Sequence, residues 1–121
     1  MEIINRYPLE IRKHAERVAR YAKIYGEDFA LIGLLHDIIE DTETTLDELP
    51  ENIRIDIDAL TRRKDETYFD YIRRIKKGSC RAIIIKYIDI YDHLKQVETL
   101  KPSLKKRYEK AIKILKGIDK W

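Results

Sequence analysis

The 121-residue sequence contains one cysteine, Cys80, so no internal disulfide can form, which suits a reducing cytoplasm. No apolar run is long enough to cross a bilayer. The longest, Phe29 to Leu35, falls far short of the roughly 20 residues that a spanning helix needs. The opening Met-Glu-Ile-Ile-Asn-Arg lacks the basic-then-apolar order of a signal peptide, and a cytoplasmic location away from membranes is expected. Side-chain amides are scarce while Ile, Lys, Arg and Glu abound, a balance found in thermophilic proteins. There is no internal repeat, linker or low-complexity tract.

What is present fits one folded domain spanning 1–121. The chain is 44% hydrophobic and rich in tyrosine, and its 39% charged residues are of mixed sign, which excludes a disordered chain. The net charge of +3 hides an asymmetry. Residues 1–60 hold 7 basic and 14 acidic side chains, residues 61–100 hold 10 and 6, and residues 101–121 hold 8 and 2. Folded together, the acidic first half and basic remainder would suit an acidic metal site rimmed by phosphate-binding cations; separately, they read as solvated helix faces.

Periodicity predicts helices. Between Pro8 and Gly26, Ile11, Ala15, Val18, Ala22 and Tyr25 recur at three and four residues. His14 borders that stripe on the side of Val18 and alone reads as a packing residue. Asp28 is the expected cap of a second helix, Phe29 to about Ile39, apolar nearly all round and therefore central. Thr44 or Thr45 can cap a short turn before Pro50. Asn52 to Asp58 alternates with period two, but a lone strand would have nothing to pair with, so Glu51 to Leu60 is read as helical. A charged connection, Thr61 to Thr67, leads to a helix over Tyr68–Lys76, ended by Gly78. Ser79 caps a helix running to about Leu100. Pro102-Ser103 starts a basic C-terminal helix with the stripe Leu104, Tyr108, Ile112 and Leu115. Five or six helices in one compact all-α domain result.

Chemistry concentrates in Leu34-Leu35-His36-Asp37-Ile38-Ile39-Glu40-Asp41-Thr42. On a helix, Glu40 stands three after Asp37 and Asp41 four after it, so one imidazole and three carboxylates fall within about two turns. Such a cluster among apolar neighbours is costly unless something positive sits in it, and a metal ion is the obvious candidate. Asp89, on an otherwise hydrophobic helix with Asp92 and His93 one turn further, likewise needs a partner.

His14, then His36-Asp37, then Asp89, all on expected helices, resembles the H…HD…D signature of the HD-domain metal-dependent phosphohydrolases. The string Leu35 to Thr42 resembles the HDxxED box of the RelA/SpoT-type alarmone hydrolases and their small stand-alone relatives. Ile85 to His93 is similar to the lysine-to-aspartate helix that completes their metal site. Thr61 to Tyr68 looks like a segment common in small bacterial and archaeal HD proteins. The likeness covers about residues 7–97. It implies a helical bundle of the HD-domain type, with His14, His36, Asp37 and Asp89 as metal ligands and Glu40 and Asp41 as the catalytic pair. Two departures bear on substrate choice. The alarmone hydrolases carry an N-terminal helix with a substrate-holding Arg-Lys pair, which this sequence is expected to lack. They also usually place Asn where His93 stands.

Two imidazoles and two carboxylates suit Mn²⁺, the expected ion, with Fe²⁺, Zn²⁺, Ni²⁺ and Mg²⁺ as alternatives. Four protein ligands on an octahedral ion leave two positions, for water and a phosphate oxygen. In the zinc case, such an ion lowers the pKa of bound water to about 7. Glu40 and Asp41 are placed to orient that water and move its proton. Lys86 and the Arg62-Arg63-Lys64 group can neutralise phosphate charge in the transition state. His93 reads equally as a substrate contact, a support for the metal site or a surface residue. The leading expectation is therefore a phosphohydrolase of a phosphorylated nucleotide, with guanosine 3′,5′-bis(diphosphate) losing its 3′-pyrophosphate. A nucleoside monophosphate phosphatase and a non-catalytic metal- or nucleotide-binding module are the alternatives. The dispersed basic residues, with no recognised motif, argue against duplex nucleic acid.

Overall fold

The computed structural model describes residues 2–96 and 99–117. Among them there is no strand. Five helices of nine or more residues and two short ones form the fold: α1 (Leu9–Ala22), α2 (Glu27–Leu35), α3 (Ile38–Asp41), α4 (Arg54–Ala59), α5 (Tyr68–Lys77), α6 (Cys80–Leu94) and α7 (Pro102–Lys116). The all-α expectation holds, and no described helix is long and apolar enough to cross a membrane.

Helices α1, α2 and α6 pack against one another, while α7 covers α5 and α6. Ala15, Val18 and Ala22 give α1 its buried face, but Tyr25, the expected end of that stripe, falls in a 3₁₀ turn and is exposed. Gly33 allows α1 and α2 to approach closely. A Cβ there would lie 3.2 Å from Val18 Cγ1 and 3.3 Å from the Ala19 backbone. Gly26, at φ 132°, opens α2 in a conformation that a side chain would strain. Asp28 does not cap that helix; its carboxylate instead accepts from Asn52 and Arg81.

The HD helix does not run on to Ile39. It ends at Leu35, His36 and Asp37 form a turn, and α3 restarts at Ile38. Asp37 sits at φ −105°, ψ 3°, the sparsely populated bridge between helix and strand, where many active-site residues lie.

Residues 51–60 are helical, as a 3₁₀ turn (Glu51–Ile53) followed by α4. The alternating isoleucines resolve on a helical period: Ile53, Ile57 and Leu60 are buried, and Ile55 is 81% exposed. Asp56 is buried between the Arg81 guanidinium and the Ser79 hydroxyl. Thr67 and Ser79 cap α5 and α6, each accepting a backbone N–H at 3.1 Å. Helix α6 stops at Leu94, short of Leu100, because Lys95 and Gln96 are exposed and bury nothing. The core of α7 is Ala111, Ile114 and Leu115, rotated from the expected stripe, in which only Leu115 is fully buried. Residues 118–121 of the expected C-terminal helix lie outside the described residues, as do 97–98 of the expected extension of α6.

Candidate metal centre

The fold brings four of the expected residues to one point. His14 comes from α1, His36 and Asp37 from the turn between α2 and α3, and Asp89 from α6. One ligand atom from each lies within 4.8 Å of all the others. The helix break is what turns Asp37 inward beside His36, since two adjacent residues on a straight helix face directions about 100° apart.

Three of the four groups, His36, His14 and Asp89, have a further contact that orients them. The His36 Nδ1–H donates to the Gly33 carbonyl at 2.6 Å, which leaves Nε2 as the nitrogen that faces the cluster. That Nε2 is buried and makes no hydrogen bond, with Asp37 Oδ2 at 3.1 Å and Asp89 Oδ1 at 3.4 Å. A buried nitrogen without a partner, between two carboxylates, suits a cation, and the mixed donor set suits a divalent transition ion. His14 Nε2 stands 2.7 Å from Asp89 Oδ1, and its Nδ1 stands 2.7 Å from Asp92 Oδ2. Lys86 donates to Asp89 Oδ2 at 2.8 Å.

The electrostatics follow from those contacts. Burial works to raise the Asp89 carboxyl, yet Lys86, His36 and His14 hold it well below the usual range. Asp37 is likewise lowered, burial being outweighed by His36. Burial disfavours the charged imidazoles, but Asp37 and Asp89 lift His36 well above its ordinary value, and Asp89 lifts His14. Glu40 and Asp41, on α3 at the edge of the cluster, move the other way. Burial and the nearby Asp37 push both upward, towards values at which a carboxylate accepts a proton more readily.

The expected basic contacts divide. Lys86 is buried beside the Tyr71 ring, 4.9 Å from its centroid, and its ammonium is engaged by Asp89. Arg62 stands on the Tyr68 side of the site, its guanidinium 6.0 Å from that ring's centroid and its Nε donating to the Glu66 carbonyl at 2.9 Å. Arg63 is tied to the end of α4, donating to the Asp58 and Thr61 carbonyls and the Asp58 carboxylate. Lys64 is exposed in the adjoining turn. His93 stacks between His14 and Tyr108, with ring centroids 4.4 and 5.3 Å away, and its Nε2 lies 3.3 Å from Asp89 Oδ1.

Sequence reasoning missed several neighbours. Asp92 and Arg17 support His14 from outside the cluster. Tyr7, buried, donates to the Leu34 carbonyl at the end of α2. The Tyr68 hydroxyl is buried with no partner, and the Arg107 guanidinium of α7 lies 4.8 Å from its ring. Asp92 alone carried a sequence signal, as a second carboxylate three residues beyond Asp89. The position of α7 beside the site is set by tertiary packing and has no local signature.

No family model matches the chain. It is 30% identical over 90 residues to the guanosine-3′,5′-bis(diphosphate) 3′-pyrophosphohydrolase MESH1 of Drosophila melanogaster, an alignment covering 68% of this chain and 50% of that protein. It is 33% identical over 92 residues to a guanosine-3′,5′-bis(diphosphate) 3′-pyrophosphohydrolase of Spiroplasma citri, covering 64% of this chain and 12% of that protein. The chain thus spans half or less of the length of these curated relatives. Over about two thirds of its own length, it is a homologue of proteins named as guanosine-3′,5′-bis(diphosphate) 3′-pyrophosphohydrolases, in keeping with the resemblance of its HDxxED string.

Proposed function

We propose that the chain is a metal-dependent phosphohydrolase of a phosphorylated nucleotide, and that guanosine 3′,5′-bis(diphosphate), losing pyrophosphate from its 3′ position, is the substrate. The observation that carries the chemistry is the buried, unpartnered Nε2 of His36 within a four-residue N/O cluster. The names of the two relatives support the substrate.

His14, His36, Asp37 and Asp89 would hold the ion, with Mn²⁺ the preferred choice. A divalent ion there supplies Lewis acidity towards a phosphate oxygen and acidifies bound water. The chain's own residues do the rest. Asp37 and Asp89 present carboxylates kept ionised by their cationic neighbours. Glu40 and Asp41, their carboxyls pushed upward, orient the attacking water and take its proton. Lys86 fixes Asp89. Arg62, with Arg63 and Lys64 beyond it, offers positive charge on the side of the substrate phosphates. His93, stacked on His14 and Tyr108, presents a ring edge to the nucleotide.

The test compares kcat/KM for guanosine 3′,5′-bis(diphosphate) and for nucleoside monophosphates with added Mn²⁺, identifying the released product. Faster cleavage of the first, with pyrophosphate as product and lower activity in Arg62→Ala, is expected. Preference for monophosphates would make the protein a nucleotidase, and metal binding without turnover a non-catalytic module.

A further inference from the structure

The metal-site reading leaves unused a buried carboxylate that touches one of its own ligands. Asp92, one turn after Asp89 on α6, is 3% exposed. Its Oδ2 lies 2.7 Å from His14 Nδ1, on the side of the ring away from the Asp89 contact. Arg17, one turn after His14 on α1, grips the same carboxylate with three hydrogen bonds: Nε to Oδ1 at 3.0 Å and to Oδ2 at 3.1 Å, and Nη2 to Oδ2 at 3.0 Å. The three residues close a ring across the α1–α6 interface.

Their chemistry allows one arrangement. Both oxygens of Asp92 accept from Arg17, and a carboxylate held in that way faces His14 as an acceptor, so Nδ1 of His14 must carry a hydrogen whatever the charge on the ring. Nε2 is then the only nitrogen of His14 that can present a lone pair, and it is the one directed at the cluster. A carboxylate behind a ligating imidazole also makes the ring a stronger donor.

We propose that Asp92, clamped by Arg17, is a positioning residue: it fixes the tautomer and ring orientation of His14 and thereby strengthens metal binding at the site. This inference rests on the metal-site reading. Loss of such an outer partner commonly weakens metal affinity by about 10–100-fold. Asp92→Asn removes the charge and gives Arg17 a competing amide, while Arg17→Gln removes the clamp through a partly exposed side chain.

The experiment titrates the full chain with Mn²⁺ by calorimetry and follows the His14 ring by ¹⁵N NMR in the Zn²⁺-loaded protein. Wild type should show metal at Nε2 and a slowly exchanging Nδ1–H. Asp92→Asn should bind Mn²⁺ at least about tenfold more weakly and lose that slow exchange. Arg17→Gln should shift both readouts less in the same direction, and Arg17→Lys should restore part of the loss. Arg17→Gln also provides the test if the Asp92 variant fails to fold. Variants that bind Mn²⁺ within about twofold of wild type, with the Nδ1–H signal unchanged, overturn the inference and leave the metal site standing. A wild-type protein that binds no metal overturns both.

Discussion

Lys86→Met tests how the cluster is held together when no metal is bound. Lys86 is 7% exposed and its ammonium lies 2.8 Å from Asp89 Oδ2, and the thioether chain of Met preserves most of the packing against Tyr71 and Tyr68. At an effective dielectric constant of about 20, charges at that separation attract by roughly 6 kcal/mol. Removing one partner of a buried pair typically costs about 3–5 kcal/mol because the other is left unpaired. His14 Nε2 at 2.7 Å and His36 Nε2 at 3.4 Å also face Asp89, so Lys86 is not its sole partner, which places the expected loss at the lower end, about 3 kcal/mol. For a domain of this size that lowers Tm by roughly 12 °C. Metal binding should respond with the opposite sign, because an ammonium beside the site repels a divalent cation. The variant should therefore melt early when metal-free, yet bind Mn²⁺ at least as tightly as wild type. Calorimetric melting with and without chelator, beside a binding titration, reads both effects. A metal-free variant that melts within about 2 °C of wild type would refute the pairing argument, as would a collapse of Mn²⁺ affinity.

Three further outcomes are expected. Asp37→Ala and Asp89→Ala should each abolish Mn²⁺ binding by elemental analysis, and a chelator should no longer lower their Tm; full occupancy in either would remove it from the ligand set. Glu40→Gln should retain its metal while turnover falls by roughly 10²–10⁴-fold, whereas unchanged turnover would make Glu40 a surface carboxylate. Glu66, bonded twice by Arg74 and once by the Arg63 N–H, is lowered from 4.5 to about 2. A depressed carboxyl contributes stability above its unfolded value and loses it as the pH falls through its folded one. Glu66→Gln should therefore cost about 1–2 kcal/mol near neutrality, and its melting temperature should depend less on pH between about 4.5 and 2 than that of wild type.

Part of the candidate site was legible because its residues are rare types beside strongly apolar segments. His36-Asp37 and Asp89 stand out as charged residues beside apolar runs, whereas His14 alone reads as a packing residue and joins them only through the resemblance to the H…HD…D signature. The helical reading of residues 51–60 also held, although Ile53, Ile55 and Ile57 alternate, because a strand without neighbours leaves its backbone unpaired. The break after Leu35 was not legible. Apolar residues continue through Ile38 and Ile39, and only the inward turn of Asp37 distinguishes a broken helix from a straight one. The roles of Arg17 and Asp92 require α1 and α6 to lie side by side. Arg63 looked like a substrate cation by composition, while its carbonyl contacts to the end of α4 emerge only on folding. The buried face of α7 differs from the expected stripe because its surroundings on α5 and α6 decide which of several apolar positions faces inward.

The contact between His36 Nδ1 and the Gly33 carbonyl has an evolutionary consequence. The partner is main chain, so no point substitution can delete that acceptor. Drift at position 33 is restrained as well, since any added carbon would push α1 away. His14 depends instead on a carboxylate that one nucleotide change can neutralise. The two histidines would therefore differ in how readily mutation can adjust them: one anchored by the backbone, the other open to graded tuning of affinity. Natural variation or laboratory selection for a different ion should begin on the α1–α6 side and leave the glycine untouched.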